Sequence, residues 1–276
     1  MIYFYNVKEL VEDFKEKIKR EILEEEKKYS LLVLVKDPSK ETLKYVKGKE
    51  KDCLKVGIEC EVKDLSGKTN EEIIDFLRNE INNGDRKIII QSPFGNDKHF
   101  ETKLMNMIPF TKDADRLSAE SYGAMCQGSL CYSATATGLK IFLLALTESV
   151  PIDLSGKSVV VVGRGKLAGI PCAKLFQDLN ATVTVIHSKT TEEDKNFYLS
   201  NADIVVLAAG QPHMFKDSDF AENTIVIDAG TTVVDGKLCG DLDPESHVDY
   251  PIYATSVPGG VGLLTRVGLI FNIITG

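Results

Sequence analysis

No two of the six cysteines, Cys53, Cys60, Cys126, Cys131, Cys172 and Cys239, stand in a C-x2-C pair. That removes a zinc cluster and a disulfide framework from the options and leaves reduced, packing thiols, with no metal expected. No uninterrupted apolar stretch approaches the roughly 18 residues that a membrane span needs, and the opening MIYFYNVKELVEDFKEKIKR lacks the charged-then-apolar order of a secretory signal. A cytosolic location is the expectation. Positive charge is also in short supply: 33 Lys and Arg against 41 Asp and Glu give a formal net charge of −8. That balance argues against general nucleic-acid binding, a local basic patch aside. Internal repeats and low-complexity tracts are missing as well. What is present is an ordinary globular composition, 43% hydrophobic and 27% charged over 276 residues, which suits two modest domains better than one large one.

The most informative stretch runs from Ser158 to Thr190. Ser158–Gly163 (SVVVVG) is a β-branched run of the kind buried on both faces of a parallel sheet. Gly163-Arg164-Gly165-Lys166-Leu167-Ala168-Gly169 follows as a turn, and Pro171 stands where a first-turn helix proline is tolerated, ahead of an apolar stripe of Cys172, Leu175, Phe176 and Leu179. A second strand, Ala181 to Ile186, ends in His187-Ser188-Lys189-Thr190. Such a βαβ unit leaves backbone N–H groups at a helix N-terminus where small residues let a pyrophosphate approach. The glycine spacing, G-x-G-x3-G, carries weight only with its strand and helix flanks. About 20 residues past the turn, where an NAD site places an acid for the ribose hydroxyl, this chain has Ser188 and Lys189, and Arg164 lies in the turn itself. A cation with hydroxyl donors suits a 2′-phosphate, so NADP is expected over NAD.

Elsewhere strands and helices alternate. Leu10, Val11, Phe14, Ile18 and Ile22 recur at helical spacing; Leu31 to Val35 reads as a strand, and a helix starts near Thr42. A strand over Ile58 to Val62, a helix over Asn70 to Ile81 and a strand over Lys87 to Gln91 continue the pattern. A polar connector, Thr111 to Gln127, leads to an apolar helix near 137–147 placed between two domains. Strands at Ile204–Ala208 and Thr224–Ile227 end in the turns Gly210-Gln211-Pro212 and Ala229-Gly230, and the flexible loop Val257-Pro258-Gly259-Gly260-Val261-Gly262 precedes a closing helix, Leu263 to Ile274. Alternation of this sort implies parallel α/β sheets covered by helices.

Tyr45 and Lys49, four apart on the second predicted helix, leave from one face. Lys47, Lys51 and Lys55 flank Lys49, so periodicity alone favours a solvated lysine face over a catalytic lysine. Gln91 ends a strand just before Pro93, where a parallel sheet presents side chains to ligands, or it is an ordinary strand-end amide. Asp113 and Asp115 stand in what is by itself a polar turn.

Taken in order, these segments resemble the bifunctional methylenetetrahydrofolate dehydrogenase/methenyltetrahydrofolate cyclohydrolase family over nearly the full chain. The motifs are Thr42-x2-Tyr45-x3-Lys49; Gln91-Ser92-Pro93-Phe94 for Q-[LV]-P-L; Pro109 to Arg116 for P-x-K-D-V-D-G, one residue longer; Gly163-Arg164-Gly165 with Gly169 and Pro171; an intact H-S-K-T at His187–Thr190; and an intact P-G-G-V-G at Pro258–Gly262. The resemblance implies NADP-dependent oxidation of 5,10-methylenetetrahydrofolate and hydrolysis of the methenyl product to 10-formyltetrahydrofolate. It makes Lys49 the acid/base group, held by Tyr45 and Gln91, and makes Asp115 the pterin anchor. Pro258, Gly259, Gly260, Val261 and Gly262 would approach the folate; Gly163, Arg164, Gly165, Gly169, Ser188 and Thr231 would serve the cofactor. Hydride loss from the bridging carbon needs orientation more than a base, whereas hydrolysis needs proton management, which a lysine lowered toward neutrality by desolvation supplies.

The implied architecture is a two-domain α/β protein with a cleft between the domains. Residues 1–120 form a substrate domain completed by 254–276, and 121–253 form a Rossmann-type NADP domain, with a homodimer through the nucleotide domains. The chain departs from the family at Gly165 for serine, Arg116 for the glycine after Asp115, Leu263 for proline, Thr231 for a hydrophobic residue, and Ser133 to Gly138 for P-x-T-P-x-G. Rival readings are a monofunctional NAD or NADP dehydrogenase, a shikimate-type dehydrogenase, and a folate- or nucleotide-binding protein without turnover.

Overall fold

The computed structural model describes residues 2–149 and 153–276. In chain order the elements are β1 (Ile2–Tyr5), α1 (Lys8–Glu25), β2 (Ser30–Val35), α2 (Lys40–Val56), β3 (Glu59–Asp64), α3 (Asn70–Asn83), β4 (Lys87–Ile90), α4 (Lys98–Met107), α5 (Ala119–Cys126) and α6 (Ala134–Ser149). There follow β5 (Ser158–Val162), α7 (Gly169–Asp178), β6 (Thr182–Ile186), α8 (Glu192–Ser200), β7 (Ile204–Leu207), β8 (Ile225–Asp228), β9 (Thr232–Val234), β10 (Lys237–Cys239), β11 (Ile252–Thr255) and α9 (Val261–Thr275). The chain divides into two compact units: Glu12–Ala134 with Arg266–Gly276, and Met1–Val11 with Thr135–Thr265.

The division differs from borders at 120 and 254, and local bonding explains where it falls. Residues 121–134 stay with the first unit because Asp113 accepts hydrogen bonds from Ser118 N and Ser121 Oγ, each at 2.8 Å, and Ala134 N donates to Asp115 O. Residues 254–265 stay with the second because β11 is an inner strand, parallel to β1 on one side and β8 on the other. The segment read as a connector, 111–127, also carries a 3-10 turn at Phe110–Lys112 and the helix α5, capped by Ser118.

In the first unit the sheet order is β3-β2-β4, all parallel. β2 (SLLVLV) is the inner strand, and its side chains alternate between two cores. Leu31, Val33 and Val35 pack with Ile18, Ile22, Val46, Cys53, Val56, Leu269, Ile270 and Ile273, whereas Leu32 and Leu34 pack with Ile73, Leu77, Phe100 and Leu104. At roughly 1.5–3 kcal/mol for each fully buried Val or Leu, this strand anchors the unit. α2 begins at the N-cap Ser39, which accepts from Thr42 N at 3.1 Å, and ends at Gly57, whose φ of 93° suits only glycine comfortably. α3 carries a complete capping box between Thr69 and Glu72. Because β2 lies between β3 and β4, the connections run outward in opposite directions, and Gln91 follows β4 at that switch point, its N–H donating to Leu34 O at 2.9 Å.

In the second unit the sheet order is β1-β11-β8-β7-β5-β6, every pair parallel, with β9 and β10 forming a separate antiparallel hairpin. β5 lies between β6 and β7, so here too a switch point opens, at the carboxyl ends of β5 and β7. The stretch Ser158–Thr190 is the βαβ unit expected of it.

Candidate active site

The helical phase of α2 decides the fate of its lysines. Val46, Lys49, Cys53 and Val56 fall on one stripe that faces the sheet, and Lys49 is only 3% exposed while Lys47, Lys51 and Lys55 stand in solvent. The solvated-face reading therefore fails for Lys49 and holds for its neighbours. Its ammonium lies 3.5 Å from Asp115 Oδ2 and 5.3 Å from the centre of the Tyr45 ring. Asp115 keeps 18% of its side chain exposed, and Tyr45 lies at the surface. Burial opposes the charge on Lys49, but the Asp115 carboxylate, followed by Tyr45, outweighs it and holds the lysine above its ordinary value. This corrects the expectation of a lysine lowered toward neutrality: its acidic partner is built into the site.

Gln91 is 8% exposed, and its amide nitrogen donates to Ser92 O at 2.9 Å. Its Oε1 is buried without a hydrogen-bond partner, an arrangement that carries a desolvation cost unless a donor reaches it. The two aspartates of the Asp113-Ala114-Asp115 turn have different jobs. Asp113, 5% exposed and raised by burial against the pull of Ser118 and Ser121, organises the turn; Asp115 faces Lys49. Arg116 takes a left-handed φ of 56°, a conformation in which glycine is at ease and arginine is strained. Its guanidinium is buried 4.0 Å from the Phe110 ring and donates to Phe110 O at 2.5 Å, so this side chain is spent on packing.

In the second unit the glycine turn closes as its sequence predicts. Gly163, at a φ of 105°, is pressed against the Ala208 carbonyl at the end of β7, and α7 opens at Gly169 with Ala168 as a cap that lends no side chain. Within its first turn Ile170 N already donates to Gly165 O at 3.1 Å and Cys172 N to Ala168 O at 2.8 Å, and Pro171 has no N–H to give. The His187–Thr190 turn is closed by its own groups: His187 N donates to Thr190 Oγ1 at 3.0 Å and Lys189 N to His187 Nδ1 at 3.1 Å. That leaves Ser188 and Lys189 exposed, like Arg164, and neither cation has an ion-pair partner among the described residues. Unpaired cations at the end of β6 and in the turn suit a phosphate.

A small open concavity is lined by Thr231, Pro258, Gly259, Gly260, Val261 and Gly262, with Asp228, Ala229, Gly230, Leu238, Ser256 and Val257 completing it. Two buried carboxylates shape its wall, and sequence reasoning passed over both. Asp241 accepts from Ala209 N (2.6 Å), Gly210 N (3.1 Å) and Gln211 N (2.7 Å). Asp228 accepts from Gly230 N (2.9 Å), Asp241 N (3.2 Å) and Leu242 N (2.9 Å). Gly230 and Gly240 are needed for approach, since a Cβ at either would overlap the carboxylate of Asp241 or Asp228 respectively. The available signal was a glycine beside each aspartate, Asp228-Ala229-Gly230 and Gly240-Asp241.

Burial, with Asp241 as a like-charged neighbour, pushes Asp228 up to about 6 from 3.8, against its N–H donors. The folded chain therefore holds this proton more tightly than the unfolded one. The stability it contributes is complete below the ordinary value and is lost as pH rises through about 6. Relative to an Asp228→Asn variant, denaturant unfolding of the parent should lose on the order of 2–3 kcal/mol between pH 4 and pH 7; a pH-independent difference would show that Asp228 does not titrate in this range.

Comparison with known proteins agrees with this division of labour. A family model described as the tetrahydrofolate dehydrogenase/cyclohydrolase catalytic domain matches residues 5–115, and one described as the NAD(P)-binding domain of the same family matches residues 133–276. A bifunctional protein FolD from Clostridium novyi is 38% identical over 236 residues, 84% of this chain and 82% of its own. One from Caldanaerobacter subterraneus is 36% identical over 269 residues, 97% and 94% of the two chains. Among solved structures, the Campylobacter jejuni bifunctional FolD methylenetetrahydrofolate dehydrogenase/cyclohydrolase has a TM-score of 0.88 at 27% identity, covering 99% of this chain and 98% of that one. The Trypanosoma brucei FolD enzyme, complexed with NADP and an inhibitor, gives 0.88 at 27% identity, covering 99% and 96%.

Proposed function

The chain belongs to the tetrahydrofolate dehydrogenase/cyclohydrolase family, and from that membership we propose that Lys49 is its acid/base group, with Asp115 as the pterin anchor. It is a bifunctional enzyme of one-carbon metabolism that oxidises 5,10-methylenetetrahydrofolate with NADP and hydrolyses the methenyl product to 10-formyltetrahydrofolate. One observation carries the residue assignment: a single lysine of a lysine-rich helix is buried, and it is ion-paired to a partly exposed carboxylate.

NADP, when bound, accepts the hydride leaving the bridging carbon. Gly163, Arg164, Gly165, Gly169, Ser188 and Thr231 would hold it, and the exposed Arg164 and Lys189, without ion-pair partners among the described residues, fit its phosphates. Hydrolysis of the methenyl cation falls to the first unit. Asp115 accepts hydrogen bonds from the pterin N–H groups, and each such bond competes with its hold on Lys49. As that hold weakens, burial becomes the dominant influence on the lysine and drives its proton affinity down, so an ammonium becomes an amine able to take a proton from the attacking water. Tyr45 lies against the lysine, and the unpartnered Gln91 oxygen supports it or the water. Pro258 to Gly262, in the concavity with Thr231, provide close backbone for the ligand.

Nucleotide choice has its own test. A Cβ at Gly165 meets nothing within 4 Å, so Gly165→Ser should fold as the parent does and add a hydroxyl to the phosphate site. The KM for NADP should fall by about 3- to 10-fold, the net worth of one ordinary hydrogen bond, with NAD unaffected. An unchanged KM would move the 2′-phosphate away from this turn.

We further propose a cytosolic homodimer. Six free cysteines support the reducing compartment. The sheet edge at β1 supports the dimer, since Tyr3, Phe4, Tyr5 and Tyr253 are all exposed there and Tyr3 stacks on Tyr253 at 5.7 Å. Sedimentation at micromolar concentration decides between one copy and two.

The deciding experiment mixes purified protein with 5,10-methylenetetrahydrofolate and either NADP or NAD, following nicotinamide reduction and methenyl absorbance, then adds methenyltetrahydrofolate alone. Turnover with NADP and disappearance of the methenyl compound are expected. Binding of both ligands without turnover would replace the enzyme by a binding protein.

A further inference from the structure

We propose that Glu101 is a positioning residue for hydrolysis, holding the turn after β4 so that the Gln91 carboxamide keeps its orientation; this rests on the reading of Gln91 given above. Glu101 lies in the first turn of α4 and is 6% exposed, beside Phe100, Leu104 and Met105 of the same core. A carboxylate in such surroundings is costly unless donors meet it. Both of its oxygens are met by one turn: Oε1 accepts from Ser92 Oγ at 3.0 Å and Oε2 from Phe94 N at 2.8 Å. The carboxylate thus clamps the chain on either side of Pro93.

The clamped residue is also what Gln91 leans on. Gln91 Nε2 donates to Ser92 O at 2.9 Å, which commits the nitrogen end of the carboxamide and leaves Oε1 as the buried end without a partner. If the Ser92 carbonyl turns away, the amide loses the bond that fixes its orientation. The helix that carries Glu101 is itself secured, since Asp97 caps it by accepting from His99 N and Phe100 N. Glu101 therefore transmits the rigidity of α4 to a side chain at the end of a neighbouring strand, without touching substrate. Small displacements of a positioning group are expensive, on the order of 100-fold in rate for 1 Å.

The test measures kcat and KM for methenyltetrahydrofolate hydrolysis in Glu101→Ala, Glu101→Gln, Ser92→Ala, Gln91→Met and the Gln91→Met/Glu101→Ala double variant, with thermal unfolding of each. Glu101→Ala should lower kcat by about 10-fold or more with KM within about 2-fold. Glu101→Gln should stay within about 3-fold of the parent, because a carboxamide can accept from Phe94 N and donate to Ser92 Oγ. In the Gln91→Met background the Glu101→Ala loss should shrink to less than about 2-fold, the signature of two residues acting through one contact. Where Glu101→Ala does not fold, Ser92→Ala removes one arm of the clamp and should show a smaller loss that also vanishes in the Gln91→Met background. If Gln91→Met hydrolyses normally, the reading of Gln91 fails and this proposal with it. If Gln91→Met is impaired while Glu101→Ala is not, or the two losses multiply, Glu101 does not act through Gln91 and the proposal alone is overturned.

Discussion

Lys49→Met should lose methenyl hydrolysis by about 100- to 10,000-fold, the range spanned by general acid–base groups, while NADP affinity stays within about 2-fold of the parent. Methionine follows the lysine stem closely in shape, so the stripe of Val46, Cys53 and Val56 against the sheet keeps its packing. What disappears is the ammonium, and with it the ion pair to Asp115. Asp115 is left without its cation but retains 18% exposure, so water can serve it and the fold should not suffer the penalty of a stranded buried charge. The dehydrogenase should keep a substantial fraction of its rate, since expelling a hydride needs no base. The measurement is methenyl decay at 10 times KM beside a nucleotide titration on the same preparation. Hydrolysis that survives in a folded Lys49→Met protein would transfer the acid/base role elsewhere.

Gly163→Ala should produce the opposite separation. The position combines a φ of 105° with direct backbone approach to the Ala208 carbonyl, which is itself fixed in the sheet through Ala208 N and Val162 O at 2.8 Å. A methyl group cannot be absorbed by a side-chain rotation, because the obstacle is main chain. β5 and β7 must part at their carboxyl ends, at a cost on the order of 2–4 kcal/mol. The turn that leads into α7 moves with them, and NADP affinity should fall by about 100-fold, equivalent to one or two charge-assisted hydrogen bonds. Methenyl hydrolysis, carried by residues of the other unit, should remain within about 3-fold of the parent. Calorimetric titration with NADP together with methenyl decay checks both halves. Normal NADP affinity would mean that the nucleotide does not use this turn.

Much of this organisation was legible in residue types and spacing. The βαβ stretch from Ser158 and the shared face of Tyr45 and Lys49 follow from periodicity and turn chemistry, whereas the two switch points depend on strand order and so on pairing. What escaped depends on long-range partners or short elements. β1 is four residues at a sheet edge and acquires its identity only from pairing with β11. α5 and α8 span eight and nine residues and bury only Ser121 and Met125, and Leu199, respectively, too few to set an apolar stripe. Asp228 and Asp241 are joined through a loop that brings together residues 13 apart, and the glycine near each is too slight a signal to show a carboxylate collecting backbone N–H groups. Glu101 and Lys49 share another kind of concealment. Each is a charged residue buried at a position of an apolar stripe, and for Lys49 the neighbouring Lys47, Lys51 and Lys55 pointed to a solvated face instead. The proton affinity of Lys49 was misjudged for a related reason, because it depends on a 3.5 Å distance to a residue 66 positions away.

The two-sided burial of β2 has a consequence for motion. Leu31, Val33 and Val35 belong to the core that seats α2, whereas Leu32 and Leu34 belong to the core that seats α3 and α4. Loosening one layer exposes only alternate side chains of the strand and leaves its ladders to β3 and β4 in place. The amides of β2 become free to exchange with solvent only when both layers let go together, which makes the strand the slowest clock in its unit. The helices that carry Lys49 and Glu101 can breathe separately around a centre that does not.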